Sequence, residues 1–261
     1  MKLRWIFLLP VLFIPFLLKK PSNNRNWEFG FGSLSTTELI NDHEVLIKNI
    51  HDTNKYFDET YDTNDLERVW FVMEPFAKLK IVAHTYFVFD FKDKEPIALS
   101  IEARREKGEE FDFLKGLTRQ FDLYYSWGTE RDATGRRAVK QNEPLYMYPL
   151  KLSHERASNL FITLANETNR LAKTPRFYNI LTSNCTNELA KVVKKANPKA
   201  IPWYSTMVPP GYADNYLYDW GYIDTTVSKK ELHEKYYITD IVKENYDEGF
   251  EKIVRETLLK E

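Results

Sequence analysis

Apolar residues follow strand spacing in segments between about residues 44 and 150 and switch to helical spacing after residue 153. Residues 44–50 (EVLIKNI) and 68–73 (RVWFVM) are short β-branched and aromatic runs, separated by a polar stretch rich in Asp, Asn and Thr, and they predict two strands. Residues 79–91 (LKIVAHTYFVFDF) form a longer, nearly continuous apolar run, as expected of a strand covered on both faces. Residues 97–104 (IALSIEAR) alternate: Ile97, Leu99, Ile101 and Ala103 share one side, and Ala98, Ser100, Glu102 and Arg104 share the other. Residues 122–128 and 145–150 predict two further strands.

In residues 154–172 the period changes, with Ala157, Leu160, Phe161, Leu164, Thr168 and Leu171 forming one stripe. Ser153 stands at the N-cap position and Pro175 bars continuation. A second helix is expected from about 183–185 to Ala196, with Leu189, Val192 and Val193 buried and Lys194 and Lys195 at its negative end. The pattern predicts an α+β protein, an antiparallel sheet with packed helices. No repeat or long linker divides residues 26–226, so they are expected to form one domain, followed by a charged, helical extension over 227–261.

The N-terminus has a different character. Residues 5–18 (WIFLLPVLFIPFLL) are all apolar or Pro, bracketed by Lys2, Arg4, Lys19 and Lys20. That layout predicts an export signal or short membrane anchor within residues 1–25. Pro10 and Pro15 and a length below the ~20 residues of a spanning helix argue against an ordinary transmembrane segment. An exported protein tethered to the membrane is expected.

Composition narrows the function classes. Hydrophobic residues make up 43% and aromatic residues 15%, which excludes a disordered chain. The 37 Lys and Arg nearly balance the 38 Asp and Glu, so no basic surplus favours nucleic acid as a partner. Phosphate-cradling glycine loops, paired-cysteine metal motifs and the G-x-S-x-G elbow are all missing from the sequence, and no cofactor or metal is expected.

Cys185 is the single cysteine, so an intramolecular disulfide is impossible and the thiol stays available for other chemistry. It falls at a predicted helix start, where the first-turn N–H groups lower a thiol pKa. His84 lies inside the long apolar strand, and Glu102 lies on the polar side of the next one. If these strands form a hairpin, opposed residues share a constant index sum. A sum of 186, centred on Asp93, sets His84 beside Glu102 with Cβ atoms ~5 Å apart, whereas 187 puts them on opposite faces. Cys185 as nucleophile, His84 as base and acid, and Glu102 as orienting group would form a thiol triad. The plainer reading makes His84 and Cys185 packed core residues and pairs Glu102 with Arg104, Arg105 or Arg131. His43, His51, His154 and His233 sit in polar surroundings and are expected at the surface.

The runs Ala83-His84-Thr85-Tyr86-Phe87, Ser100 to Glu109 (SIEARREKGE), Gly128-Thr129-Glu130-Arg131-Asp132, Tyr178-Asn179 and Asn184-Cys185-Thr186 resemble a bacterial envelope family. That family includes the N-terminal periplasmic domain of the Lnb lipoprotein N-acyltransferases, and the resemblance covers about residues 27–223. It implies a papain-like fold in circularly permuted order, with the His strand before the Cys helix. By position, His84 and Cys185 match the family's proposed catalytic pair, and Glu102 matches the acidic residue of its E-x-R motif. This sequence ends at Glu261 without the membrane-spanning helices that follow the domain in the acyltransferases. The expectation is therefore a periplasmic thiol enzyme, performing acyl transfer or amide or ester hydrolysis on a lipid, lipopeptide or peptide of the envelope. A cell-wall peptidase or amidase and a non-catalytic binding domain are the alternatives.

Overall fold

The computed structural model describes residues 19–76 and 81–260, so the apolar part of the expected leader lies outside the described residues. These residues contain eight strands: β1 (Thr36–Leu39), β2 (Glu44–Asp52), β3 (Lys55–Asp62), β4 (Leu66–Pro75), β5 (Ala83–Phe91), β6 (Ile97–Arg104), β7 (Asp122–Thr129) and β8 (Tyr146–Pro149). They form one sheet in the order β1-β2-β7-β6-β5-β4-β8, with β3 also paired to β2. Every pairing is antiparallel except the short parallel contact of β2 with β7 at His51 and Gly128. The α+β class with a mostly antiparallel sheet is the one the sequence pattern predicts.

Two strands escape the hydrophobic pattern. β3 occupies the polar stretch between the first two expected strands; it is a sheet margin in which Lys55 and Asp58 are exposed and only Tyr61 is buried. Only one residue of β1 is buried, which leaves four residues with no readable alternation.

Among the described residues seven α-helices accompany the sheet: α1 (Phe113–Leu117), α2 (His154–Lys173), α3 (Cys185–Ala196), α4 (Ala213–Asp219), α5 (Lys229–Lys235), α6 (Thr239–Asn245) and α7 (Phe250–Leu258). Ser153 caps α2 as expected, accepting from the Arg156 N–H. Among the described residues no helix is long and apolar enough to cross a membrane.

The sheet is covered on both sides. On the face of Thr85, Phe87 and Phe89, the Phe161 ring of α2 meets Phe89 and Phe91 at 5.1 Å and Trp127 at 5.4 Å, all edge-on. Such pairs add about 0.5–1.5 kcal/mol each beyond the burial of their area. The opposite face carries His84, Tyr86, Ser100, Glu102, Arg104 and Tyr124. Alternation alone would expose these side chains, yet Ser100 and Arg104 are buried. Residues 23–35 cross over them. Arg104 donates to the Phe31 carbonyl through Nε and Nη2 at 2.9 and 2.6 Å and lies 4.1 Å from the Trp27 ring, while the Tyr124 hydroxyl donates to the Ser33 carbonyl at 2.8 Å. A π-helical arm, Arg131–Gly135 and Arg137–Gln141, crosses beside them, with Thr134 bonded to the Tyr86 hydroxyl at 3.0 Å.

The last helices back this arm. Phe250 and Val254 are fully buried, and Tyr246 and Phe250 press against Gly135 so closely that an added Cβ there would lie 2.5 Å from Tyr246 Cε2. Arg255 pairs with both Asp90 and Glu130, at 2.6 and 2.7 Å.

Candidate functional site

The β5–β6 hairpin has the register that sets His84 and Glu102 side by side. Tyr86 opposes Ser100, Phe87 opposes Leu99, Val88 opposes Ala98 and Phe89 opposes Ile97, each pair summing to 186. Asp93, at the centre of the turn, takes a left-handed φ of 57°, which Asp tolerates better than most residues. His84 and Glu102 lie two residues beyond Tyr86 and Ser100 on the same face. His84 Nε2 donates to Ser100 Oγ at 2.7 Å, Ser100 Oγ donates to Glu102 Oε1 at 2.6 Å, and Nε2 itself stands 3.2 Å from that carboxylate oxygen. These bonds engage Nε2 and leave Nδ1 as the imidazole nitrogen for a second partner.

Cys185 arrives from α3. Asn184 caps this helix, accepting from the Asn187 N–H at 2.8 Å and holding the Ile180 carbonyl through its own amide at 2.6 Å. The thiol is therefore the first helical residue. Thr186 binds Thr85 side chain to side chain at 2.9 Å and pins the helix start to β5, and the thiol donates to the Ala83 carbonyl at 3.8 Å.

Cys185 and His84 control each other's ionisation. Burial alone pushes the thiol up. The charge of His84, a hydrogen bond with it, and hydrogen bonds involving Thr85 outweigh that and hold Cys185 below its ordinary value. Burial likewise pushes His84 down, but the Glu102 carboxylate and the Cys185 thiolate raise it to about 10. Glu102 is held well below the usual carboxylate range: burial opposes this, and the charges of His84 and Arg137 overcome it. The charges of the three groups thus shift one another toward their ionised forms, the thiol downward and the imidazole upward.

All three sequence candidates thus meet in one place. The arginine beside Glu102 is a correction: it is Arg137, not Arg104, Arg105 or Arg131. Arg137 is buried, donating from Nη2 to Glu102 Oε1 at 2.7 Å and from Nε to Glu74 Oε2 at 2.9 Å. Glu74 itself sits directly across β4 from His84. Sequence reasoning missed Ser100, Glu74 and Arg137. The same-face spacing of Ser100 with Glu102 was the available signal for the first, whereas Arg137 comes from a segment with no strand or α-helical period.

His51 also departs from expectation. It is buried, with Nδ1 2.7 Å from Asp132 Oδ2, because the arm brings Asp132 over the end of β2. His43 and His233 are partly exposed and pair with Asp62 and Asp214, at 2.9 and 2.6 Å. His154 is exposed. Among the described residues no three His, Cys, Asp or Glu side chains gather as a metal site.

An apolar cavity of about 90 Å³ lies on the Thr85–Phe87 face of β5, with none of His84, Glu102 and Cys185 in its wall. Its walls include Phe71, Phe87, Leu160, Leu189, Val193 and Trp220, and at one side it reaches Thr85 and Thr186, the residues following His84 and Cys185.

Residues 52–209, more than half of the chain, match the family described as the Lnb N-terminal periplasmic domain, and that span contains His84, Glu102, Arg137 and Cys185. No curated protein and no solved structure matched the chain. The protein belongs to the Lnb N-terminal periplasmic domain family and is by that membership related to Lnb among envelope proteins.

Proposed function

We propose that the protein is an exported envelope thiol enzyme that transfers or hydrolyses acyl groups through a thioester on Cys185. The observation carrying this reading is the meeting of Cys185, His84 and Glu102, from three different elements, in a buried site that shifts the thiol toward thiolate. On this reading the β-strand–helix arrangement is the permuted papain-like one, His strand before Cys helix.

The steps follow from the groups present. The thiolate attacks an acyl carbonyl, forming the C–S bond and placing the electron pair on oxygen. With Asn187 N–H capped by Asn184, the N–H groups of Cys185 and Thr186 remain at the helix start for that oxyanion. Collapse breaks the bond to the leaving group, which takes its proton from His84. An amine or water then attacks the thioester, His84 accepts the incoming nucleophile's proton, and the thiolate returns. Glu102, with Ser100, holds the imidazole orientation throughout.

The apolar cavity beside Thr85 and Thr186 supports an acyl chain over the peptide of a cell-wall peptidase or amidase, which calls for a polar open cleft. The test incubates purified protein with phospholipid and a lipopeptide amine acceptor, then examines Cys185 by mass spectrometry. A fatty-acyl adduct that hydroxylamine removes and that Cys185→Ala lacks is expected. A peptidyl adduct from muropeptides would replace the acyl reading by the peptidase one. No adduct from either substrate would leave a binding domain and overturn the enzyme reading.

A further inference from the structure

A cluster of large apolar side chains stands exposed between the point where the N-terminal segment joins the fold and the loop that delivers Cys185. Leu114 is 70% exposed, Leu181 68%, and Phe111 and Phe113 48% each. They belong to one surface: the Ile180 N–H donates to the Gly116 carbonyl at 3.0 Å, and Asn179 Nδ2 donates to the Leu117 carbonyl at 3.1 Å. Exposed patches of this kind on a folded domain mark interaction sites.

The position of the N-terminus says what covers the patch. Lys19 donates to the Gln120 carbonyl, and the Ser22 N–H donates to Asp122 at 2.8 Å. The adjacent Phe121 ring stacks on Phe111 at 5.4 Å. Lys19, which follows the all-apolar run 5–18 in sequence, therefore meets the fold next to Phe121 and the Phe111 ring. A segment of that composition partitions into lipid, which brings this side of the domain to the bilayer surface. Exposed Lys20, Lys115 and Arg119 flank the patch, with Lys19 beside them; Glu110 and Asp112 are the exposed acids among them. Phe and Leu with Lys and Arg at the margin is the composition of a surface lying in the headgroup region.

We infer that Phe111, Phe113, Leu114 and Leu181 dock on the membrane surface, on the side of the domain where the loop bearing Leu181 leads into Cys185. The inference deepens the envelope reading proposed above but does not depend on the thiol chemistry. The occupant is a phospholipid surface, not a second protein.

The test uses the full chain in phosphatidylethanolamine–phosphatidylglycerol vesicles carrying a trace of diazirine-labelled phospholipid. After photolysis, tryptic peptides are mapped by mass spectrometry. Labelling is expected in 108–115 and 177–191 as well as in residues 1–18. In the double variant Leu114→Glu/Leu181→Glu, labelling of those two domain peptides should fall about tenfold while that of residues 1–18 is kept. Both leucines are largely solvent-exposed, and an unchanged thermal transition checks the fold. Labelling confined to residues 1–18, or undiminished in the double variant, overturns the inference. Cys185→Ala should label like the native chain, so loss of the chemistry and loss of docking are read separately.

Discussion

Arg137 Nη2 donates to Glu102 Oε1 at 2.7 Å, the same oxygen that receives the Ser100 hydroxyl and lies 3.2 Å from His84 Nε2. One carboxylate oxygen thus accepts from two donors and faces the imidazole, and its position is over-determined. The other arm of the guanidinium reaches Glu74, so a single buried cation balances the buried Glu74 and the partly exposed Glu102 beside the imidazole.

Removing that cation leaves both carboxylates short of a partner. Arg137→Gln should lower stability in urea by about 3–5 kcal/mol, the usual cost of breaking a buried pair from one side. Arg137→Lys keeps the charge but not the fork and should lose less. Equal losses for the two variants would show that the charge is not what matters.

Because His84 holds the Cys185 thiol down against burial, alkylation by iodoacetamide should persist below the pH range of an ordinary thiol. In His84→Ala the opposing push of burial remains, and the alkylation profile should move to higher pH, with at least a tenfold slower rate at pH 7. Stability has its own sign. His84 rises from 6.5 to about 10 on folding, so its contribution is full below pH 6.5 and disappears as pH rises through about 10. The stability gap between native protein and His84→Ala should narrow over that interval.

The His51–Asp132 pair predicts the opposite combination, a stability effect without a reactivity effect. Burial raises Asp132, but its hydrogen bond with His51 and the charge of Arg136 leave it lowered. Its contribution is therefore present above pH 3.8 and lost on further acidification. Asp132→Asn should cost about 1–3 kcal/mol near neutral pH, by analogy with other buried hydrogen bonds. Its Cys185 alkylation profile should match that of the native chain, and a displaced profile would tie this pair to the thiol.

At Gly135 the restriction is steric. A methyl group there meets the Tyr246 ring at 2.5 Å and Phe250 Cε1 at 3.1 Å, both on rigid buried or half-buried aromatics. Gly135→Ala should destabilise by about 1–3 kcal/mol in thermal or urea unfolding, and an unchanged midpoint would show that the two rings yield freely.

The sequence carried much of the site's geometry because a strand has a period of two. Once residues 79–91 and 97–104 were read as neighbours, one index sum tied His84 to Glu102, and β5–β6 pairing has that sum. Cys185 was legible for a different reason: Asn184, Leu189 and Asn197 mark the ends and stripe of α3. Arg137, Asp132 and the burial of His51 were not legible. All three depend on an arm with π-helical spacing, for which neither hydrophobic period applies, and on ion pairs closed across 63 to 81 residues of chain. The small residues Ala133, Thr134, Gly135 and Ala138 were the one hint of close packing there.

The packing of Tyr246 and Phe250 on Gly135, together with the clasp of Arg255 on Glu130, makes the final helices a buttress for the arm that presents Arg137. Residues more than sixty positions downstream of the thiol thereby set how firmly its supporting carboxylate is gripped. Trimming or loosening that end of the chain would slacken the site from behind without touching any residue that meets a substrate.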